Sequence, residues 1–187
     1  MEESTEYQEL QLPEDFFLTS DTWFGRPQIL QIANRISFRS IEEMNAQLIK
    51  NWNKKVKKND TVIHLGNFAW DADTARYVLG KLNGKIYFLL GNADYAIDEV
   101  GEEYDNVSII ENEILHLPEH NVVLSHYPLE VWNGKESGVI HIHGHTVFSH
   151  KTDLRVQKRF NICTDFWDYS PIKLSSINDI INLSTNE

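Results

Sequence analysis

The chain has little of what would commit it to an unusual architecture. Its 187 residues include one cysteine, five prolines and nine glycines. A lone thiol, Cys163, excludes an intrachain disulfide, fits a reducing compartment and reads as a small buried apolar group. The longest apolar runs, such as Ile86–Leu90, are strand-sized, far short of the ~20 residues that cross a bilayer. The acidic start, MEESTEYQEL, lacks a basic stretch followed by an apolar one. No secretory signal and no membrane association are therefore expected, and the expected location is cytoplasmic. Basic charge is scarce: 17 Lys and Arg against 28 Asp and Glu give a net charge of −11. That balance argues against bulk nucleic acid as a partner, which needs a basic face, but leaves room for a small anion in a locally positive cleft. The basic residues that exist gather at Lys54, Lys55, Lys57 and Lys58 and at Lys151, Arg155, Lys158 and Arg159, and read as solvated faces.

What remains is ordinary globular material, 41% hydrophobic and 24% charged. No repeat, low-complexity tract or linker divides it. Residues 1–13 read as a polar tail and 14–187 as a single domain. Strand-like runs recur at Phe16–Thr19, Val62–Leu65, Lys85–Leu90, Val122–Ser125, Val139–His143 and Phe160–Thr164. Several are apolar throughout, as strands covered on both faces are. Between the first two, Ser40 and Glu43 form a capping box, and Ile41, Met44, Leu48, Trp52 and Val56 follow at helical spacing. A second helix is predicted from about Asp73 to Leu82, stopped by Gly84. Ser176 and Asp179 suggest a cap leading into Ile177, Ile180 and Ile181. The alternation indicates an α/β layered domain, in which ligands gather at the carboxyl ends of strands.

Five polar residues sit at or just after the end of a predicted strand: Asp21, Asn67, Asn92, His126 and His145. Their repeated placement points to one shared site. A carboxylate, amide oxygens and imidazoles are part of what two-metal phosphoryl transfer requires. The segments around them are Ser20-Asp21-Thr22-Trp23-Phe24-Gly25, His64-Leu65-Gly66-Asn67-Phe68, Leu90-Gly91-Asn92-Ala93-Asp94, Ser125-His126-Tyr127-Pro128-Leu129 and His143-Gly144-His145-Thr146-Val147, with Asp165-Phe166-Trp167-Asp168-Tyr169-Ser170-Pro171 late in the chain. From about Phe16 to Ile181 the sequence resembles the calcineurin-like metallophosphoesterases, and among them the small single-domain bacterial and phage branch. The resemblance implies a layered α-β-β-α sandwich.

The resemblance also implies metal ligands, and the chain departs from them. The first metal would be held by Asp21 and positions 23, 67 and 147, which here are Trp23, Asn67 and Val147. The second would be held by Asn67, Asn92, His126 and His145, with an amide replacing the bridging carboxylate at 67. The catalytic histidine position carries Ala93, and Arg26 stands where the branch often has a histidine. An indole and a valine donate nothing to a cation, and loss of a positioned general acid costs about two to four orders of magnitude in rate. The cofactor expectation is therefore none, or one divalent transition metal (manganese or zinc) at partial occupancy on Asn67, Asn92, His126 and His145.

Each departure has a plain reading. Trp23 fills the space of a lost ligand and ion, or stacks on a flat group at the cleft. Val147 packs. Arg26 points to solvent, or its planar fork replaces a cation as a phosphate partner. His126 and His145 are satisfied core histidines paired with Asp21, or ligands of one ion. His64, His116, His120, His141, His143 and His150 are assigned structural roles, and Asp165 and Trp167 anchor the closing strand or line the cleft. The favoured expectation is a protein that binds a small phosphorylated, nucleotide-like ligand through Asp21, Trp23, Arg26, Asn67, Asn92, His126 and His145, without efficient hydrolysis. The alternatives are a protein-interaction scaffold with a protein partner, and a weak one-metal phosphodiesterase.

Overall fold

The structure, a computed structural model, describes residue 10 and residues 12–31, 35–147 and 158–185. His150, Lys151, Arg155 and most of the polar tail lie outside the described residues. Four parallel strands, β1 (Phe17–Thr19), β2 (Thr61–His64), β3 (Lys85–Leu89) and β4 (Val107–Ile110), form one sheet with β9 (Ile172–Lys173), which pairs antiparallel with β1. The order is β4-β3-β2-β1-β9. A second sheet runs β5 (Ile114–Leu117), β6 (Val122–Ser125), β7 (Ile140–His143) and β8 (Arg159–Asn161). Of these, β5 pairs antiparallel with β6, and the others are parallel. The helices are α1 (Ile41–Lys55), α2 (Ala72–Leu79), α3 (Tyr95–Val100) and α4 (Leu174–Thr185). This mixed α/β arrangement, with two sheets and four α-helices among the described residues, is the expected sandwich.

The two-residue period of a strand decides the layers. Leu18, Ile63, Tyr87 and Leu89 project from the first sheet into one core with Leu124, Ile142 and Phe160 of the second, and α4 adds Leu174 and Ile177. The alternate residues Phe17, Val62, Ile86 and Phe88 form another core with Met44, Leu48 and Trp52 of α1 and with residues of α2 and α3. Half of the capping box at α1 forms as expected, Ser40 Oγ accepting from Glu43 N at 3.2 Å; the Glu43 carboxylate accepts from Arg39 N, one residue before the cap, at 2.8 Å. Among the described residues no helix is long and apolar enough to cross a membrane.

Local competition moved several boundaries. Asp71 accepts from Thr74 N at 2.8 Å, so α2 starts at Ala72 and ends by Gly80; Gly84 lies beyond it, at φ +101°, in the turn into β3. The last helix begins before Ser176 because Asp15, remote in sequence, accepts from Ser175 N at 3.0 Å and from Lys173 Nζ at 3.1 Å. The run Phe160–Thr164 pairs as a strand only to Asn161, after which Cys163 makes an isolated bridge to Ser20.

The outer face of the second sheet carries an acid-sensitive pair. His141 Nδ1–H donates to Val123 O (3.1 Å), and Nε2 accepts from Leu129 N (3.0 Å). Both nitrogens are committed to the neutral ring. Burial is the main force pushing His141 and its neighbour His143 down to about 4. The folded state thus prefers neutral rings. Their contribution is complete above the ordinary value of 6.5 and is lost as pH falls toward 4. Each ring contributes on the order of 3 kcal/mol. Urea unfolding at pH 7 and pH 4.5 is expected to show a loss of several kcal/mol, concentrated in that window; a flat profile would contradict it.

Candidate functional site

Loops leaving the carboxyl ends of β1, β2, β3, β6 and β7 meet at one place, because their backbones are laced together. Asp21 N donates to Gly66 O, Trp23 N to Asn67 O, Phe24 N to Phe68 O and Gly144 N to His126 O, at 2.8–3.1 Å. Four of the site residues hold left-handed backbone: Asp21, Trp23, Asn67 and His145, with φ between 51° and 64°. Such conformations are disfavoured for residues with a Cβ, most of all bulky ones, and gather where surroundings impose them at functional sites.

The imposing groups were not expected from sequence. Asp94, 4% exposed, accepts from Asn67 N and Phe68 N (both 2.7 Å) and from Gly91 N (2.6 Å), so one carboxylate fixes two of the loops. Arg35, fully buried, donates to Asp21 O (2.6 Å), Thr22 O (2.7 Å) and both carboxylate oxygens of Asp165. Asp165 is thereby tied to the Asp21 loop, and Cys163 Sγ lies 3.3 Å from it, buried. The seat of the His126 ring is made by missing side chains. A Cβ on Gly66 would lie 2.6 Å from His126 Nδ1, and one on Gly91 within 2.7–2.9 Å of the same ring.

The five strand-end residues do come together. Asn67 Nδ2 donates to Asp21 Oδ1 at 3.0 Å and lies 3.2 Å from His126 Nε2. Asn92 Oδ1 and His145 Nδ1 lie 3.0 and 3.1 Å from that same Nε2. His126 Nδ1 sits 2.7 Å from Leu65 O, which can only accept, so the ring's proton is on Nδ1. With that proton committed to Leu65 O, Nε2 is the nitrogen turned toward Asn67, the orientation a metal-binding imidazole also has. Asp21 accepts further from Ser20 Oγ (2.8 Å) and His145 N (2.7 Å). Burial pushes its carboxyl up, against which His126 and these hydrogen bonds pull it down.

A cavity of about 290 Å³ opens beside this network. Asp21, Trp23, Arg26, Asn67, Asn92 and His145 line it, with Val147, Gln28 and Ile29. His126 does not; it stands behind Asn67, Asn92 and His145. Ala93 packs instead against the helix-side core. Trp23 is only 6% exposed, and the Arg26 guanidinium lies over its ring, 4.0 Å from the centroid. The same guanidinium is 5.1 Å from the ring centroid of Trp70. Arg26 is thus turned onto the cavity wall.

These donors fit two ions poorly. Among the described residues no three His, Cys, Asp or Glu side chains are grouped to hold a metal. Asp21 with an indole, an amide and a valine does not fit a cation. Asn67, Asn92, His126 and His145 do converge, and Asn67 Oδ1 is buried without a partner. That set offers two imidazoles and the Asn92 amide oxygen to one divalent ion, Asn67 turning Nδ2 rather than Oδ1 toward His126; such an ion would there supply Lewis-acid polarisation of a bound oxygen.

Comparisons with known proteins follow the same outline. A protein of Methanocaldococcus jannaschii, described only as uncharacterised, is 32% identical over 172 residues, covering 88% of this chain and 90% of that one. A crystal structure from Aquifex aeolicus, of a protein of unknown function, superposes with a TM-score of 0.66 at 24% identity. It matches 89% of this chain and 98% of its own, a likeness of fold. The family model described as calcineurin-like phosphoesterase matches residues 16–180, and the chain belongs to that family.

Proposed function

We propose that this chain binds a small phosphorylated, nucleotide-like molecule in its cleft and does not hydrolyse it efficiently, so that it sequesters or senses the ligand. The observation that most supports this is Arg26. Its guanidinium lines the cavity, stacks on Trp23, makes no ion pair among the described residues, and leaves a buried Nε without a partner. In a chain with 28 acidic residues, a half-buried cation without a counter-ion suits an anion that arrives from solution. Beside it, Trp23 and Val147 fill positions where the family holds its first metal, and Ala93 offers no proton. The Asp21, Asn67 and His126 side chains are joined to one another by hydrogen bonds across the strand ends.

A weak one-metal phosphodiesterase is the second reading, favoured by the His126 tautomer and by Asn92 Oδ1 and His145 Nδ1, both close to His126 Nε2. Calorimetry with ribose 5-phosphate, beside an assay of a generic phosphodiester with added manganese, separates the two. The binder reading expects affinity that falls about 10- to 100-fold in Arg26→Ala, and no product. Turnover at ordinary enzymatic rates, roughly 1 s⁻¹ or more, contradicts it.

A further inference from the structure

The same guanidinium touches a second indole, and that indole faces outward. Trp70 is half exposed (50%), unusual for the residue type that buries the most area, while Arg26 Cζ lies 5.1 Å from its ring centroid. Its place is fixed by backbone. Trp70 N donates to Phe24 O at 2.9 Å and Phe24 N to Phe68 O at 2.8 Å, so the segments carrying Trp70 and Arg26 are one laced unit. Trp23, by contrast, is buried and already carries Arg26. Of the two indoles packed around the cation, Trp23 lines the cavity and Trp70 lies outside its lining, half exposed and next to the group that would hold a phosphate.

We infer that Trp70 is a base-stacking platform that makes the cleft selective for nucleoside monophosphates over phosphorylated ligands without an aromatic ring. This rests on the binding of a phosphorylated ligand at Arg26 proposed above. A phosphate on the guanidinium edge and a flat ring on the outer face of Trp70 would be separated by about one sugar, the layout of a mononucleotide. Stacking on an aromatic side chain tolerates any base. Asn67 Oδ1, a buried acceptor without a partner on the cavity wall, suits a sugar hydroxyl. A cavity of about 290 Å³ has room for the sugar and phosphate of a nucleotide whose base lies outside it on Trp70, and the chain's acidity disfavours a longer polyanion.

The test is calorimetric titration of the full chain with adenosine 5′-monophosphate and with ribose 5-phosphate. The nucleotide is expected to bind about 10-fold tighter or more. Trp70→Ala should remove that difference, Trp70→Phe should restore most of it, and Arg26→Ala should weaken both ligands. Tyr77→Ala, which removes an exposed aromatic on α2 stacked by Lys81, should change neither. Equal affinity of the two ligands, or equal weakening of both by Trp70→Ala, overturns the platform while leaving the phosphate reading intact. Failure of both ligands to bind the unmodified chain overturns both.

Discussion

Replacing Arg35 with methionine is expected to lower the free energy of unfolding by about 3–5 kcal/mol. In a chain of this size that shifts the melting temperature by on the order of 10 °C. The reason is the position of the charge. Arg35 and Asp165 are both fully buried at the side chain, and removing the cation leaves a carboxylate in the core with only a thiol nearby. The same guanidinium satisfies the carbonyls of Asp21 and Thr22, so the loop that carries Asp21 in left-handed backbone loses part of its support as well. Adding Asp165→Leu to Arg35→Met should recover part of the loss, because an apolar pair replaces an orphaned ion; the unbonded carbonyls keep the recovery incomplete. Chemical unfolding of the two variants checks both statements. A loss near zero for Arg35→Met would mean that the ion pair does not hold the loop.

Asn67→Asp carries the second large effect. The amide now donates to Asp21 Oδ1 and turns the same Nδ2 to His126 Nε2. A carboxylate in its place would set two buried acids about 3.0 Å apart and leave an acceptor against an acceptor. Without metal the variant should lose roughly 3 kcal/mol. It should also gain what the unmodified chain lacks, a negative charge between the imidazoles and Asp21. Millimolar manganese is therefore expected to raise its melting temperature by several degrees, and that of the unmodified chain by much less. Equal responses of the two proteins would show that the amide is not what sets metal affinity.

The strand ends were legible in sequence because each carries its own local signal: an apolar run followed by a polar residue in a recognisable segment. That placed Asp21, Asn67, Asn92, His126 and His145 together without any long-range information. The supports were not legible for the opposite reason. Arg35 meets Asp165 across 130 residues, and Asp94 reaches back 27 residues to Asn67, with no periodic pattern to announce either contact. The edge strands β4 and β5, reading Val107-Ser108-Ile109-Ile110 and Ile114-Leu115-His116-Leu117, also carry no clean alternation, and their side chains are mostly half-exposed or exposed. Strand β9 is two residues long and exists only through its pairing with β1. Helix α3 is six residues with no side-chain cap hydrogen bond, too short for a helical period to show. Trp70 was absent from the expected site because nothing in Ala69-Trp70-Asp71 marks it. Only the three-dimensional contact with Arg26 does.

The central claim is that the cleft holds a phosphorylated ligand intact. Native mass spectrometry of the chain after incubation with manganese and a nucleoside phosphodiester tests it most directly. The account predicts the protein with one unhydrolysed ligand bound and no product in solution. Two bound metal ions per chain with accumulating monoester would contradict it.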